Sequence, residues 1–213
     1  MTEDLFALAA ADDAQRFAAA LKRTDLTRLH NDGGESLYRF ALFHGHAKSA
    51  EAIKLRGGLG PHDVALTNDV GVLEAFIKAA PWSIDLLSPD GWTMLHLAAF
   101  VGADAAVERL LSLGANARTM GRAFEQNLAL HAACAGRRLG RVAFDGLIAA
   151  TGDPDARQKQ GYTALVIAAG NGFEVAVDSL LAAGADRTIA IDGKTAADFA
   201  RERGHDALAK RLA

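Results

Sequence analysis

The sequence predicts an all-α fold, a solenoid of about six to seven helix-turn-helix repeats with capping ends. The first observation is self-similarity: segments that begin at Gly34, Gly91, Gly161 and Gly193 each contain Gly, one variable residue, Ser or Thr, and then small and apolar residues. The second is spacing, because apolar residues recur at helical intervals after these segments, while no strand-like alternation of useful length appears. Stacked units of this kind can reach 213 residues without one large core.

Each repeat has the same predicted order of elements. It begins with a turn, such as SPDG, QKQG or AIDG, whose Gly can adopt a positive φ angle, and a Thr or Ser two residues later can cap the first helix. That helix carries small residues, as in LHLAA, and ends at a Gly. The second helix has an apolar face, as in AAVERLLSLGA and VAVDSLLAAGA. The step from Thr93 to Leu128 and the step from Leu128 to Thr163 are both 35 residues.

We expect the repeats to form a single domain over residues 1–213. The N-terminal cap, 1–31, fits a helix pair with a tight polar turn at Asp12 and Asp13, and charged ends suit a solenoid whose terminal repeats face water. Within 61–89 we expect a degenerate copy whose second helix is VLEAFIKAAP, and in a later copy Arg137 stands where a Gly is expected. The predicted repeats are 32–60, 61–89, 90–122, 123–159 and 160–190, followed by the C-terminal capping repeat 191–213.

The segments TMLHLAAFVGA, LLSLGANA and LLAAGADR resemble the ankyrin-repeat pattern, a Thr-Pro-Leu-His-x-Ala-Ala helix followed by a Leu-Leu-x-x-Gly-Ala ending. The resemblance covers roughly residues 32–213. It departs from the family where proline is replaced by Leu37, Met94, Ala129, Ala164 and Ala196. The resemblance implies a non-catalytic protein-protein interaction module, such as an adaptor, inhibitor or scaffold. A bacterial effector or a regulatory subunit that binds an enzyme or host protein is the alternative.

The resemblance also implies two contact surfaces, the turn tips and the outward positions near the end of each first helix. Large apolar residues there are informative, because a stack that faces water normally places polar groups at these positions. We expect Trp92 and Phe100 to lie near the centre of the binding face; the alternative is that neighbouring repeats bury them. The residues predicted to bind a partner are Phe43, His44, Trp92, Phe100, Val101, Asn127, Tyr162 and Asn171.

No motif points to a catalytic, cofactor or metal site, so we expect no enzyme activity and no cofactor. His96 and His131 recur at one repeat position, where in ankyrin repeats the imidazole binds the backbone of the neighbouring turn. His44 and His46 lack further ligands at metal spacing. The single cysteine, Cys134, lies in an apolar segment and is predicted to be a buried structural thiol.

Charge and hydropathy limit the class of partner. A formal net charge of −3 and a pI near 6.1 oppose nucleic-acid binding, which needs a basic face. No apolar stretch is long enough to span a membrane, and the acidic start MTEDL is unlike a signal peptide. We therefore expect a cytoplasmic monomer with a protein partner, which the sequence does not identify.

Overall fold

Every regular element of the described residues is a helix, which confirms the all-α prediction. The computed structural model describes residues 4–11, 17, 19–20, 25, 29–122 and 126–213, so the predicted turn at Asp12 and Asp13 lies outside it. Short 3-10 helices occupy Asp63–Thr67 and Pro81–Ser83. The α-helices are α1 (Leu5–Ala10), α2 (Leu37–Phe43), α3 (Ala47–Leu55), α4 (Val70–Ala79), α5 (Met94–Val101), α6 (Asp104–Ser112), α7 (Ala129–Gly136), α8 (Arg141–Thr151), α9 (Ala164–Gly170), α10 (Glu174–Ala182), α11 (Ala196–Glu202) and α12 (Asp206–Leu212).

The described residues fall into two compact units, of which unit 1 comprises Met1–Val64 with Ser88–Asp90. In unit 1, α2 packs against both α1 and α3. The ring of Phe6 meets that of Phe40 edge to face at 5.4 Å. Ser49 on α3 donates a hydrogen bond to the Ala9 carbonyl at 3.2 Å. Ile53 on α3 is fully buried.

Unit 2 comprises Ala65–Leu87 with Gly91–Ala213, and it shows the predicted repeat stacking. The first helices α5, α7, α9 and α11 pack in that order, and the second helices α6, α8 and α10 pack in a parallel row. Leu110, Leu130 and Phe144 are fully buried between the rows. Carboxylates also join successive repeats: Asp85 accepts from the Asn116 backbone N–H and Asp155 accepts from that of Asp186.

Local signals place the helix ends of unit 2 as predicted. Thr93 and Thr163 accept hydrogen bonds from backbone N–H groups three residues later, which caps α5 and α9. The turn residues Gly91 and Gly161 have positive φ angles of 87° and 85°. The predicted second helix of the degenerate copy is α4, which begins at a cap from Asp69. The first element of that copy is a 3-10 helix.

Candidate partner-binding face

His96 joins its repeat to the next turn of unit 2. Its Nε2 donates to the Asn127 carbonyl at 2.9 Å, while its Nδ1 accepts from the Thr93 hydroxyl at 2.7 Å. Burial lowers the pKa of His96. The hydrogen bond to the Asn127 carbonyl raises it, but by less than burial lowers it. The ring is therefore a neutral structural imidazole, as predicted.

His131 makes the equivalent contacts one repeat later. Its Nδ1 accepts from the Leu128 backbone N–H at 3.2 Å, and its Nε2 donates to the Ala156 carbonyl at 3.0 Å. Burial lowers the pKa of His131 to about 4 despite these hydrogen bonds. Leu128 has no hydroxyl to accept from the His131 N–H as Thr93 accepts from the His96 N–H; the His131 imidazole instead binds the N–H of Leu128, the residue before the helix.

Trp92 and Phe100 form one aromatic pair at the two ends of α5. Their ring centroids are 5.8 Å apart in an edge-to-face arrangement, and Trp92 also meets His96 edge to face at 5.7 Å. Trp92, Phe100 and Val101 are all partly exposed. Each of these side chains is therefore partly buried and leaves part of its surface exposed.

Asn127 differs from the other predicted contact residues because its side chain is only 3% exposed. Its backbone carbonyl accepts from His96 Nε2 and also from the Gly121 N–H, the latter at 2.8 Å. Asn127 thus packs between turns in the interior of unit 2, and its side chain lies away from the surface on which a partner could rest.

Phe43 and His44 lie in unit 1, at the end of α2. Phe43 is 41% exposed, and His44 is exposed as well. The His44 ring stacks on that of Phe40 at 4.5 Å, and its Nδ1 lies 2.9 Å from the Phe40 carbonyl. These two predicted residues form an exposed aromatic patch of unit 1.

Tyr162 and Asn171 line a groove in unit 2, which we call the α9–α11 groove. Its volume is about 350 Å³, at the lower end of the range of about 300–1,000 Å³ for ligand pockets. Tyr162 meets Phe199 of the next repeat edge to face at 5.7 Å. The lining side chains that matter here are Gln158, Gln160, Tyr162, Asn171, Phe199 and Arg203.

The Asn171 amide connects three repeats at one end of this groove. Its Nδ2 donates to the Cys134 carbonyl at 3.3 Å, and its Oδ1 accepts from Arg203 Nη1 at 2.9 Å. Its backbone carbonyl accepts from Arg137 Nη1, also at 2.9 Å. Because one side chain binds on both sides, Asn171 fixes the position of Arg203 in the groove.

Comparison with known families agrees with this geometry. The Ankyrin repeat family model matches residues 90–120, the segment that contains Trp92, His96 and Phe100. Residues 90–120 therefore form an ankyrin repeat. No curated protein matches the chain. Ankyrin repeats are in general protein-interaction modules, and they are typically non-catalytic.

A charged cluster that the sequence did not predict lies in unit 1. Arg39 is 1% exposed; its Nη1 lies 2.6 Å from Asp90 Oδ2, and its Nε lies 3.6 Å from Asp63 Oδ1. Burial raises the pKa of Asp63. The hydrogen bonds from Ser36 and the Gly60 N–H and the charge of Arg39 all lower it, but burial outweighs them. The sequence did contain one signal for this cluster. Arg39 lies three residues after Ser36, as His96 lies three residues after Thr93, so the two side chains occupy the same repeat position.

Few groups among the described residues could support chemistry. Cys134 is fully buried, and burial raises the pKa of its thiol, so the sulfur stays protonated as predicted for a structural cysteine. Among the described residues, no group of three or more His, Cys, Asp or Glu side chains could hold a metal ion. No helix within the described part of the chain combines the length and apolar character needed to cross a bilayer.

Proposed function

We propose that this protein is a non-catalytic module that binds a protein partner. Its contact surface is the face of unit 2 made by the first helices α5, α7, α9 and α11 and the turns before them. The observation that carries the proposal is the partly exposed Trp92–Phe100 pair on α5, with rings 5.8 Å apart. Aromatic side chains that are held rigidly and left accessible are the groups that most often dominate protein-protein affinity.

The rest of the proposed surface follows from exposure. Val101, at the end of α5, and Tyr162 and Asn171, just before and just after α9, are partly exposed and complete the proposed surface. Phe43 and His44 form a proposed second contact patch within unit 1. Asn127 is left out because its side chain is buried.

The class of partner follows from charge. A net charge of −3 disfavours a polyanion such as nucleic acid, which supports a protein as the occupant of this face. We propose that the protein acts as an adaptor, inhibitor or scaffold, as a monomer and in the cytoplasm.

The test begins with capture of the partner from the source organism and its purification. Calorimetry then measures the partner's affinity for the wild-type chain and for the double variant W92A/F100A. The control variant L113A/V175A truncates two apolar side chains of similar partial exposure, 37% each, that lie outside the row of first helices.

We expect W92A/F100A to weaken binding by about 30-fold or more, which corresponds to one aromatic hot spot of about 2 kcal/mol. Its melting temperature should stay within a few degrees of the wild-type value, since both rings are already partly exposed. The control should bind as the wild type does. A large fall in melting temperature, or unchanged affinity, would show that the two rings serve packing between repeats and would overturn the assignment.

A further inference from the structure

The α9–α11 groove contains a buried acceptor that lacks a partner. Gln158 is 6% exposed and lines the groove, and its Nε2 donates to Gln160 Oε1 at 3.0 Å. Its Oε1 is buried without a hydrogen bond to any described residue. A buried acceptor left unpaired is unfavourable, so a donor supplied by a bound molecule would stabilise it.

The groove also carries positive charge. Arg203 is exposed, and among the described residues Asn171 is its hydrogen-bond partner, through Nη1 alone. A guanidinium has five N–H donors, so donors remain for a bound molecule. Arg137 is exposed and bonds the same asparagine from the other side. None of the described residues that line the groove carries a carboxylate.

One part of the groove wall is apolar and aromatic. Tyr162 and Phe199 contact each other edge to face, and Val166 and Ile167 line the groove beside them. A volume of about 350 Å³ suits one or two side chains of a polypeptide. The groove therefore offers an apolar surface, an unused acceptor and a cation close to one another.

We propose that the α9–α11 groove receives an acidic peptide segment of the protein partner. An apolar or aromatic side chain packs on Tyr162 and Phe199, a neighbouring carboxylate pairs with Arg203, and an N–H group of the segment donates to Gln158 Oε1. A planar guanidinium recognises a carboxylate through paired hydrogen bonds, which gives the preference for an acidic segment. This inference rests on the proposed function, since it names the part of a protein partner that one subsite recognises.

The experiment selects peptides from a random display library on the full-length wild-type chain. The same selection is made on R203Q and on R187Q, a matched control that removes the charge of an exposed arginine outside the groove. We expect wild type and R187Q to enrich segments in which Asp or Glu adjoins an aliphatic or aromatic residue. R203Q should lose the preference for acidic residues. No enrichment, or enrichment of neutral or basic segments on the wild type, would overturn the proposal.

A double-mutant cycle then tests the pairing itself. The selected peptide and a version with amides in place of its carboxylates are titrated into wild type and R203Q, whose folding is checked by circular dichroism. The amide version should bind wild type about tenfold more weakly and should bind R203Q with less than about a twofold change. Equal losses on both chains would show that Arg203 does not hold the carboxylate and would overturn the proposal.

The outcomes separate this inference from the proposed function. If the peptide results fail while W92A/F100A still weakens the captured partner, the groove assignment alone is wrong. If the peptide cycle succeeds while W92A/F100A leaves affinity unchanged, the central aromatic surface is wrong. Selection of a sequence that occurs in this chain would assign the groove to a second copy and would contradict an acidic partner segment.

Discussion

Arg39, which is buried, and Asp90, which is partly exposed, form an ion pair in which Nη1 lies 2.6 Å from Oδ2. The same guanidinium donates to the Gly34 carbonyl at 3.1 Å and lies beside Asp63, which is 2% exposed. Arg39 occupies the repeat position that His96 occupies later in the chain. In unit 1, a charged side chain thus ties a helix to its neighbouring turns, a task that a neutral imidazole performs in unit 2.

Replacement of this arginine should destabilise unit 1 strongly. R39A leaves the Asp63 carboxylate buried without its cation, and breaking a buried ion pair from one side costs about 3–5 kcal/mol. We expect the free energy of unfolding, measured in urea, to fall by that amount. R56A, which truncates an exposed arginine of the same unit, should change it by less than about 0.5 kcal/mol. A loss below about 1 kcal/mol in R39A would contradict the assigned role.

Much of the fold follows from local chemistry that the sequence displays. Thr93 and Thr163 cap helices because a hydroxyl at that position can accept a backbone hydrogen bond, whatever the tertiary context. The ion pairs of Arg39 were not predictable in this way. Asp63 and Asp90 lie 24 and 51 residues further along the chain, and only the tertiary fold brings their carboxylates to the guanidinium.

The candidate site was predictable to a smaller extent. Tyr162 and Asn171 were predicted as outward positions of a repeat, and both line the α9–α11 groove. Phe199 and Gln158 were not predicted as contact residues. The shape of a groove depends on how far the side chains of adjacent repeats project from the surface. Residue spacing within one repeat does not determine that.

His131 should make stability depend on pH. Its folded pKa of about 4 lies below the unfolded value of 6.5, so unfolding takes up a proton. The contribution is fully present above pH 6.5, decreases by about 3 kcal/mol as the pH falls towards 4, and then levels off. Urea unfolding measured at a series of pH values checks this expectation.

Two variants assign that pH dependence to the imidazole. H131Q should reduce the slope of the profile between pH 6.5 and 4, because it removes one of the two buried imidazoles, His96 and His131, whose pKa burial lowers. F144L, which truncates a fully buried ring of the neighbouring helix without changing any titratable group, should lower stability equally at every pH. A wild-type slope that persists in H131Q would assign the effect to other residues.

Arg137 adopts a left-handed conformation that a glycine would tolerate better. Its φ angle is 57°, and the equivalent helix-ending residue of the preceding repeat is Gly102, with φ of 76°. R137G should be more stable than R137A by about 1 kcal/mol, because both lose the hydrogen bond to Asn171 and only glycine avoids the strain. Glu108 is an exposed position inside α6, where alanine is the better helix former, so E108A should instead be more stable than E108G. Urea unfolding of the four variants provides the comparison.

Gly136 and Gly146 should respond to alanine in opposite directions, although both lie in helices. A Cβ at Gly136 would overlap the Phe100 carbonyl oxygen, so α5 and α7 could not keep their separation. We expect G136A to lower the free energy of unfolding by about 3 kcal/mol or more. A Cβ at Gly146 would meet only Leu111 Cδ1, at 3.8 Å, so G146A should raise stability by about 0.5–1 kcal/mol through helix propensity. Equal effects of the two substitutions in urea unfolding would show that close approach at Gly136 does not limit the packing of these repeats.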